Sequence, residues 1–163
     1  MHTDLWGSNM LDSEPVEILL VEDSPEDAEL TLHALRRNHV ADHILHLEDG
    51  AQALDFLFLR GAYVNRSPAL RPRLVLLDLK LPKVDGLQVL KEVKSSLATR
   101  VIPVILLTSS IEERDLVAGY QLGANSYIQK PLNFTEFQEV VRQLGKYWLV
   151  INKRPPAVAF LTS

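Results

Sequence analysis

Val16-Glu17-Ile18-Leu19-Leu20-Val21-Glu22-Asp23-Ser24-Pro25-Glu26-Asp27 is the stretch on which the reading of the whole chain turns. Val16 to Val21 is short, apolar and partly β-branched, the composition of a buried strand, and it stops at two carboxylates. The next four residues read as a helix start. Ser24 can cap, Pro25 already holds the φ of a first helical position, and Asp27 stands where a capping box is completed. Ala28, Leu32 and Leu35 then recur at helical spacing. A strand that ends on acids and turns at once into a capped helix is half of a parallel β-α unit.

The same grammar repeats down the chain. Ile44 to Leu47 is a weaker strand, followed by Asp49-Gly50-Ala51-Gln52 and a helix carrying Ala51, Leu54, Leu57 and Phe58. Leu74 to Leu79 is a third apolar run, and Asp85-Gly86-Leu87-Gln88 opens a helix with Leu87, Leu90 and Leu97. Val101 to Leu107 precedes Ser110-Ile111-Glu112-Glu113 and a helix with Leu116, Val117 and Tyr120. Ser126 to Ile128 is a short fifth strand, and Asn133-Phe134-Thr135-Glu136 opens the last helix. Apolar strands alternating with amphipathic helices indicate a parallel sheet covered on both faces. Right-handed crossovers make this a doubly wound α/β sandwich of five strands and five helices.

In that architecture the functional crevice lies beyond the carboxyl ends of the strands. The residues expected there are Glu22 and Asp23 after the first strand, Asp78 at the end of the third, Thr108 after the fourth and Lys130 after the fifth. Three converging carboxylates repel unless a cation or a proton compensates. Mg2+ is the economical compensator, because it takes a few carboxylate oxygens and leaves room for a phosphate oxygen. Thr108 adds a hydroxyl donor and Lys130 a positive charge. An acid cluster, a hydroxyl and a lysine around one divalent ion make a site for handling phosphoryl groups. Each residue alone has a plainer reading: Glu22-Asp23 as a helix first turn, Thr108 as a helix-approach residue. An acid closing the buried run Leu76-Leu77-Asp78-Leu79 is harder to dismiss, since it is costly without a partner.

Val21-Glu22-Asp23-Ser24, Leu77-Asp78-Leu79-Lys80-Leu81-Pro82, Asp85-Gly86, Leu107-Thr108-Ser109 and Tyr127-Ile128-Gln129-Lys130-Pro131 resemble, in order, the motifs of response regulator receiver domains of two-component systems. The resemblance implies a flavodoxin-like sheet of strand order 2-1-3-4-5. It implies that Asp78 is the phosphoacceptor for a histidine kinase, and that Glu22, Asp23, Asp78 and the backbone carbonyl of Lys80 hold Mg2+. Thr108 and Lys130 would bind phosphoryl oxygens, with Tyr127 as the aromatic switch and Lys130-Pro131 as the cis peptide of the family. The readout face would be the fourth helix, fifth strand and fifth helix. The run from Glu22 to Asp27, the long 61–73 loop, Gly123-Ala124-Asn125-Ser126-Tyr127 and the extended tail further resemble the small regulators paired with cyanobacterial and bacterial phytochromes. Those are commonly dimeric, so a phytochrome-type kinase and a second copy of the chain are the expected partners.

The chain has 163 residues, no cysteine and a formal net charge of −4. That length suits one well-buried domain. The absent thiols exclude a disulfide framework, cysteine-based zinc sites and thiol catalysis, and the acidic balance weighs against nucleic-acid binding. No apolar run is long enough to span a bilayer and no leader pattern is visible, so a cytoplasmic setting is expected. Residues 1–14 read as a flexible tail, 15–146 as the receiver domain and 147–163 as a C-terminal extension, a candidate dimerisation element. There Trp148, one turn beyond Leu144, with Leu149 and Ile151, carries the last helix's apolar face past the sheet. Gly61 to Arg73 is long for a connection in this fold, and reads as a mobile loop or an interaction surface.

His33, His39, His43 and His46 straddle several elements without a cysteine and read as surface residues rather than a zinc site. No nucleotide-binding glycine loop is present. The resemblance implies a signalling rather than an enzymatic role. The rival readings are a Mg2+-dependent phosphohydrolase with an aspartate nucleophile, and a degenerate receiver that only binds protein. Lys80 stands where the first would carry its second aspartate, and the second would have lost a key group. A DNA-binding regulator is not expected, because the residues after 146 are too few for a helix-turn-helix domain.

Overall fold

Four or five consecutive apolar residues, flanked by turn-forming ones, build every central strand, because each must bury both of its faces. In the computed structural model, which describes residues 12–37, 41–130 and 133–156, the strands are β1 Ile18–Val21, β2 Ile44–Leu47, β3 Leu74–Leu77, β4 Val104–Thr108 and β5 Ser126–Gln129. They form one parallel sheet in the order β2-β1-β3-β4-β5. β1, β3 and β4 are buried along their whole length, whereas β2 is an edge and half-exposed at three of its four residues, which explains its weaker sequence signal.

The helices are α1 Pro25–Arg37, α2 Gly50–Leu57, α3 Gly86–Ser95, α4 Glu113–Gln121 and α5 Phe134–Gly145. Successive strand residues serve opposite faces. Leu19, Val21, Val75, Leu77 and Leu106 pack with α2 and α3, while Ile18, Leu20, Leu74, Leu76 and Ile105 pack with α1 and α5. Asp49, Asp85 and Asn133 cap their helices as the sequence implies, each accepting from the backbone N–H three residues on.

Four expectations are corrected. In α3 the buried face is Val89, Leu90 and Val93; Leu97 lies beyond the helix and is exposed. In α4, Leu116, Val117 and Tyr120 are exposed although they recur at core spacing. The helix approaches the sheet through Gly119, where a Cβ would fall 2.7 Å from Leu106 Cδ1. After α5 the chain widens into a π-helical turn, Lys146–Ile151, that buries Leu149 and half-buries Trp148, leaving Tyr147, Val150 and Ile151 outward. Finally, of the two readings of the 61–73 connection the mobile loop is the one corrected, because the segment is anchored. Tyr63 packs edge-on against Phe56 at 5.1 Å. Arg66, 3% exposed, stacks over the same ring and donates to the carbonyls of Glu14 and Leu70, and Arg71 donates to Leu57 O.

Most of the N-terminal tail, His39 and Pro131, with the peptide bond expected to be cis, lie outside the described residues. Among the described residues no helix is long and apolar enough to cross a membrane.

Candidate functional site

Register brings the site together. Val21 of β1 pairs with Leu77 of β3, and the N–H of Asp78 donates to Val21 O, so Glu22 and Asp78 emerge side by side at the carboxyl edge. This is where the chain order reverses, with β2 on one side of β1 and β3 on the other, the place a doubly wound sheet opens a crevice. Across β4, Thr108 pairs with Gln129 of β5, and Lys130 N–H donates to Thr108 O at 2.6 Å. Lys130 thus leaves the last sheet position with its side chain free to run back toward β1.

Two glycines let the surrounding backbone close in. A Cβ on Gly86 would sit 2.1 Å from the Asp78 carbonyl oxygen, and one on Gly50 would sit 1.8 Å from Val84 O. The N-termini of α3 and α2 can therefore press on the β3–α3 loop, and any side chain at Gly86 would push directly on the residue that carries Asp78.

Glu22, Asp23 and Asp78 each present a carboxylate oxygen within 4.8 Å of the others; Glu22 and Asp78 are buried and Asp23 is exposed. Hard oxygen donors, one side open to water, are the donor set a Mg2+ ion takes. Lys130, itself buried, places Nζ 2.6 Å from Glu22 Oε1, 2.9 Å from Asp27 Oδ2 and 3.6 Å from Asp78 Oδ2. Burial pushes the Glu22 carboxyl up to about 7; its hydrogen bond from Lys130 opposes the push and the charge of Asp78 adds to it. Burial also works against the Lys130 charge, but the hydrogen bonds to Glu22 and Asp27 outweigh it and leave the ammonium above its ordinary value.

Thr108 is buried at the end of β4, and its hydroxyl accepts from Ser110 N–H. Ser110 is a junction in the β4–α4 loop. Its hydroxyl bonds Asp115, and its carbonyl accepts from the Tyr127 hydroxyl at 3.2 Å. Burial raises the Tyr127 phenol. Lys80 is exposed, and its N–H lies 3.4 Å from Asp78 Oδ1.

Three neighbours escaped the sequence reading. Asp27 does not close a capping box: Ser24 N–H turns to Glu22 Oε2, and the Asp27 carboxylate goes to Lys130. An acid in the first turn of α1, one turn before the buried Thr31, was the available signal. Ser110 was read only as the start of a helix. His46, read as a surface residue, is half-buried, with Nε2 at 2.8 Å from Glu22 O; His33 and His43 are exposed as expected.

The response regulator receiver domain family matches residues 18–142. Over 156 residues the chain is 42% identical to the probable methanogenesis regulatory protein FilR2 of Methanothrix harundinacea, covering 95% of this chain and 98% of that protein. It is 41% identical to response regulator Rcp1 of Synechocystis over 143 residues, 88% of this chain and 95% of Rcp1. The crystal structure of the phosphorylated cyanobacterial phytochrome response regulator RcpA matches with a TM-score of 0.79 at 38% identity, over 87% of this chain and 99% of that one. The Mn2+-bound form of Rcp1 matches at 0.78 and 39%, over 86% and 99%. Sheet order, site placement and relatives agree: the chain belongs to the response regulator receiver family, and is related to the cyanobacterial phytochrome response regulators.

Proposed function

We propose that this chain is a phosphorylation switch in which Asp78 takes a phosphoryl group from the phosphohistidine of a histidine kinase. The kinase is proposed to be of the phytochrome type, by likeness to RcpA and to the bacteriophytochrome response regulator RtBRR. The observation that carries the reading is Asp78 itself, an acid ending a buried strand with two carboxylates and the Lys130 ammonium converging on it. Glu22, Asp23, Asp78 and the backbone carbonyl of Lys80 are the residues that would hold Mg2+, whose charge offsets the carboxylates and an incoming phosphoryl oxygen. The likeness to a Mn2+-bound relative supports that ligand class.

Lys130 and Thr108 supply donors for the phosphoryl oxygens. The added charge on Asp78 draws the Thr108 hydroxyl in, the β4–α4 loop follows, and Tyr127, bonded to Ser110 in that loop, turns with it. The exposed Ile111, Leu116, Val117 and Tyr120 then make the face that partner proteins read, in a cytoplasmic relay without direct nucleic-acid contact. A receiver spanning residues 15–146 and an extension, 147–163, that joins two copies complete the proposed organisation. A degenerate receiver would lack a key group; the presence of Glu22, Asp23, Asp78, Thr108 and Lys130 in the sequence supports the intact reading.

The test is chemical. With Mg2+ and acetyl phosphate, or a phosphorylated histidine kinase, the wild-type chain should acquire an acid-stable, base-labile acyl phosphate, and Asp78→Asn should acquire none. Equal labelling of both, or none in the wild type, would sink the proposal.

A further inference from the structure

The ammonium of Lys130 has three N–H donors and three carboxylates around it. Two of these, Glu22 at 2.6 Å and Asp27 at 2.9 Å, are hydrogen-bonded, and Asp78 at 3.6 Å is just out of reach. A phosphoryl group on Asp78 would bring three strong acceptor oxygens to that third side. Turning its third N–H onto them draws Lys130 toward Asp78 and away from its present partners.

The two partners differ in what release costs. Glu22 keeps only 3% of its side chain exposed, so without Lys130 no water could take the lysine's place and the bound cation alone would offset its charge. The Asp27 side chain is 44% exposed, so water can replace the lysine there. Asp27 also lies in the first turn of α1, where the helix dipole favours a free carboxylate. Its side chain has no capping duty to abandon, because Ser24 N–H is already bonded to Glu22.

We propose that Asp27 is the exchangeable anchor of Lys130: it holds the ammonium back from Asp78 in the resting site and is displaced by the phosphoryl oxygens when Asp78 is phosphorylated. Asp27 is thus a positioning residue that acts through Lys130, and it sets how readily the site accepts and keeps the phosphoryl group. The inference rests on the phosphoacceptor reading above and adds to it a residue that competes with the product. In the transfer itself the phosphorus–oxygen bond of a donor such as acetyl phosphate breaks, with its electron pair leaving on acetate. An Asp78 carboxylate oxygen forms the new bond, so no proton has to move and Lys130 acts only through its charge and donors.

The test uses beryllofluoride, a non-covalent phosphoryl mimic, titrated into the full chain at saturating Mg2+. Asp27→Asn should bind it about two- to fivefold more tightly than wild type, the range expected for giving up a part-exposed ion pair. Asp27→Glu, which restores the charge, should return toward the wild-type value. Glu26→Gln removes a neighbouring exposed charge that does not touch Lys130, and should leave the affinity unchanged. A thermal melt of each variant separates loss of fold from loss of the anchor. Equal or weaker binding by Asp27→Asn, or the same gain in Glu26→Gln, overturns the exchange. A wild-type chain that binds no beryllofluoride in Mg2+ removes the phosphoacceptor reading, and this inference with it.

Discussion

Because burial holds the Glu22 carboxyl near 7, the folded chain keeps a proton there that the unfolded chain has already released above its ordinary 4.5. Between those two values the native state binds more protons than the unfolded one. The stability this proton confers is therefore full at the acid end and falls as pH rises toward 7, by at most about 1.4 kcal/mol per pH unit. A divalent cation needs the ionised carboxylate, so its binding must expel the proton. Mg2+ affinity measured by calorimetry from about pH 5 to about pH 8 should rise up to about tenfold per unit and level off above 7. A flat profile would remove Glu22 from the ligand set. At this scale the placement of Glu22, Asp23, Asp78, Thr108 and Lys130 was legible because charge or hydroxyl stands at the ends of β1, β3, β4 and β5. Asp27 was not. Ser24-Pro25-Glu26-Asp27 spells a capping box equally well, and only the fold brings Lys130 close enough to win the carboxylate.

Elements were easier to find than the faces they bury. Every strand and helix expected from the sequence is present, with ends shifted by a few residues as fraying and turns dictate. Helical spacing says which apolar residues share a face, but not whether another element is there to cover it. In α4 that face stays open because the sheet is met through Gly119 instead. The C-terminal turn divides the other way. Leu149, expected outside, fills the space beside α5, and its carbonyl accepts from Arg73. What remains outward is Tyr147, Val150 and Ile151. If this turn joins two copies, replacing Val150 and Ile151 by lysine should move a dimer to a monomer in sedimentation without lowering the melting temperature, since neither side chain is buried. Unchanged sedimentation of a dimer would place the association surface elsewhere.

Across the molecule, the two ends of the sheet are specialised differently. The carboxyl end gathers the acids and Lys130. At the amino end Lys94, drawn down to about 8 by burial, donates to Arg100 O, Ile102 O and Asn125 Oδ1, tying the entry to β4 to the entry to β5. The parallel sheet was readable from the alternation of its elements and its strand order from the family resemblance, whereas this tie was not, because Lys94 looks in sequence like any solvent-facing helix lysine. The 61–73 connection escaped for a similar reason. Proline and arginine spell an exposed loop, yet the guanidinium of Arg66 can be buried where an aromatic face and two carbonyls receive it. That burial has a practical consequence for proteolysis. Trypsin needs an accessible, extended arginine, so the Arg66–Ser67 bond should resist it until the domain opens. Its cleavage rate should then rise with urea in step with global unfolding followed by circular dichroism. Rapid, urea-independent cutting would mean that the segment opens on its own. Otherwise a single fragment boundary at Arg66 serves as a gauge of the chain's stability, readable on a gel without labels.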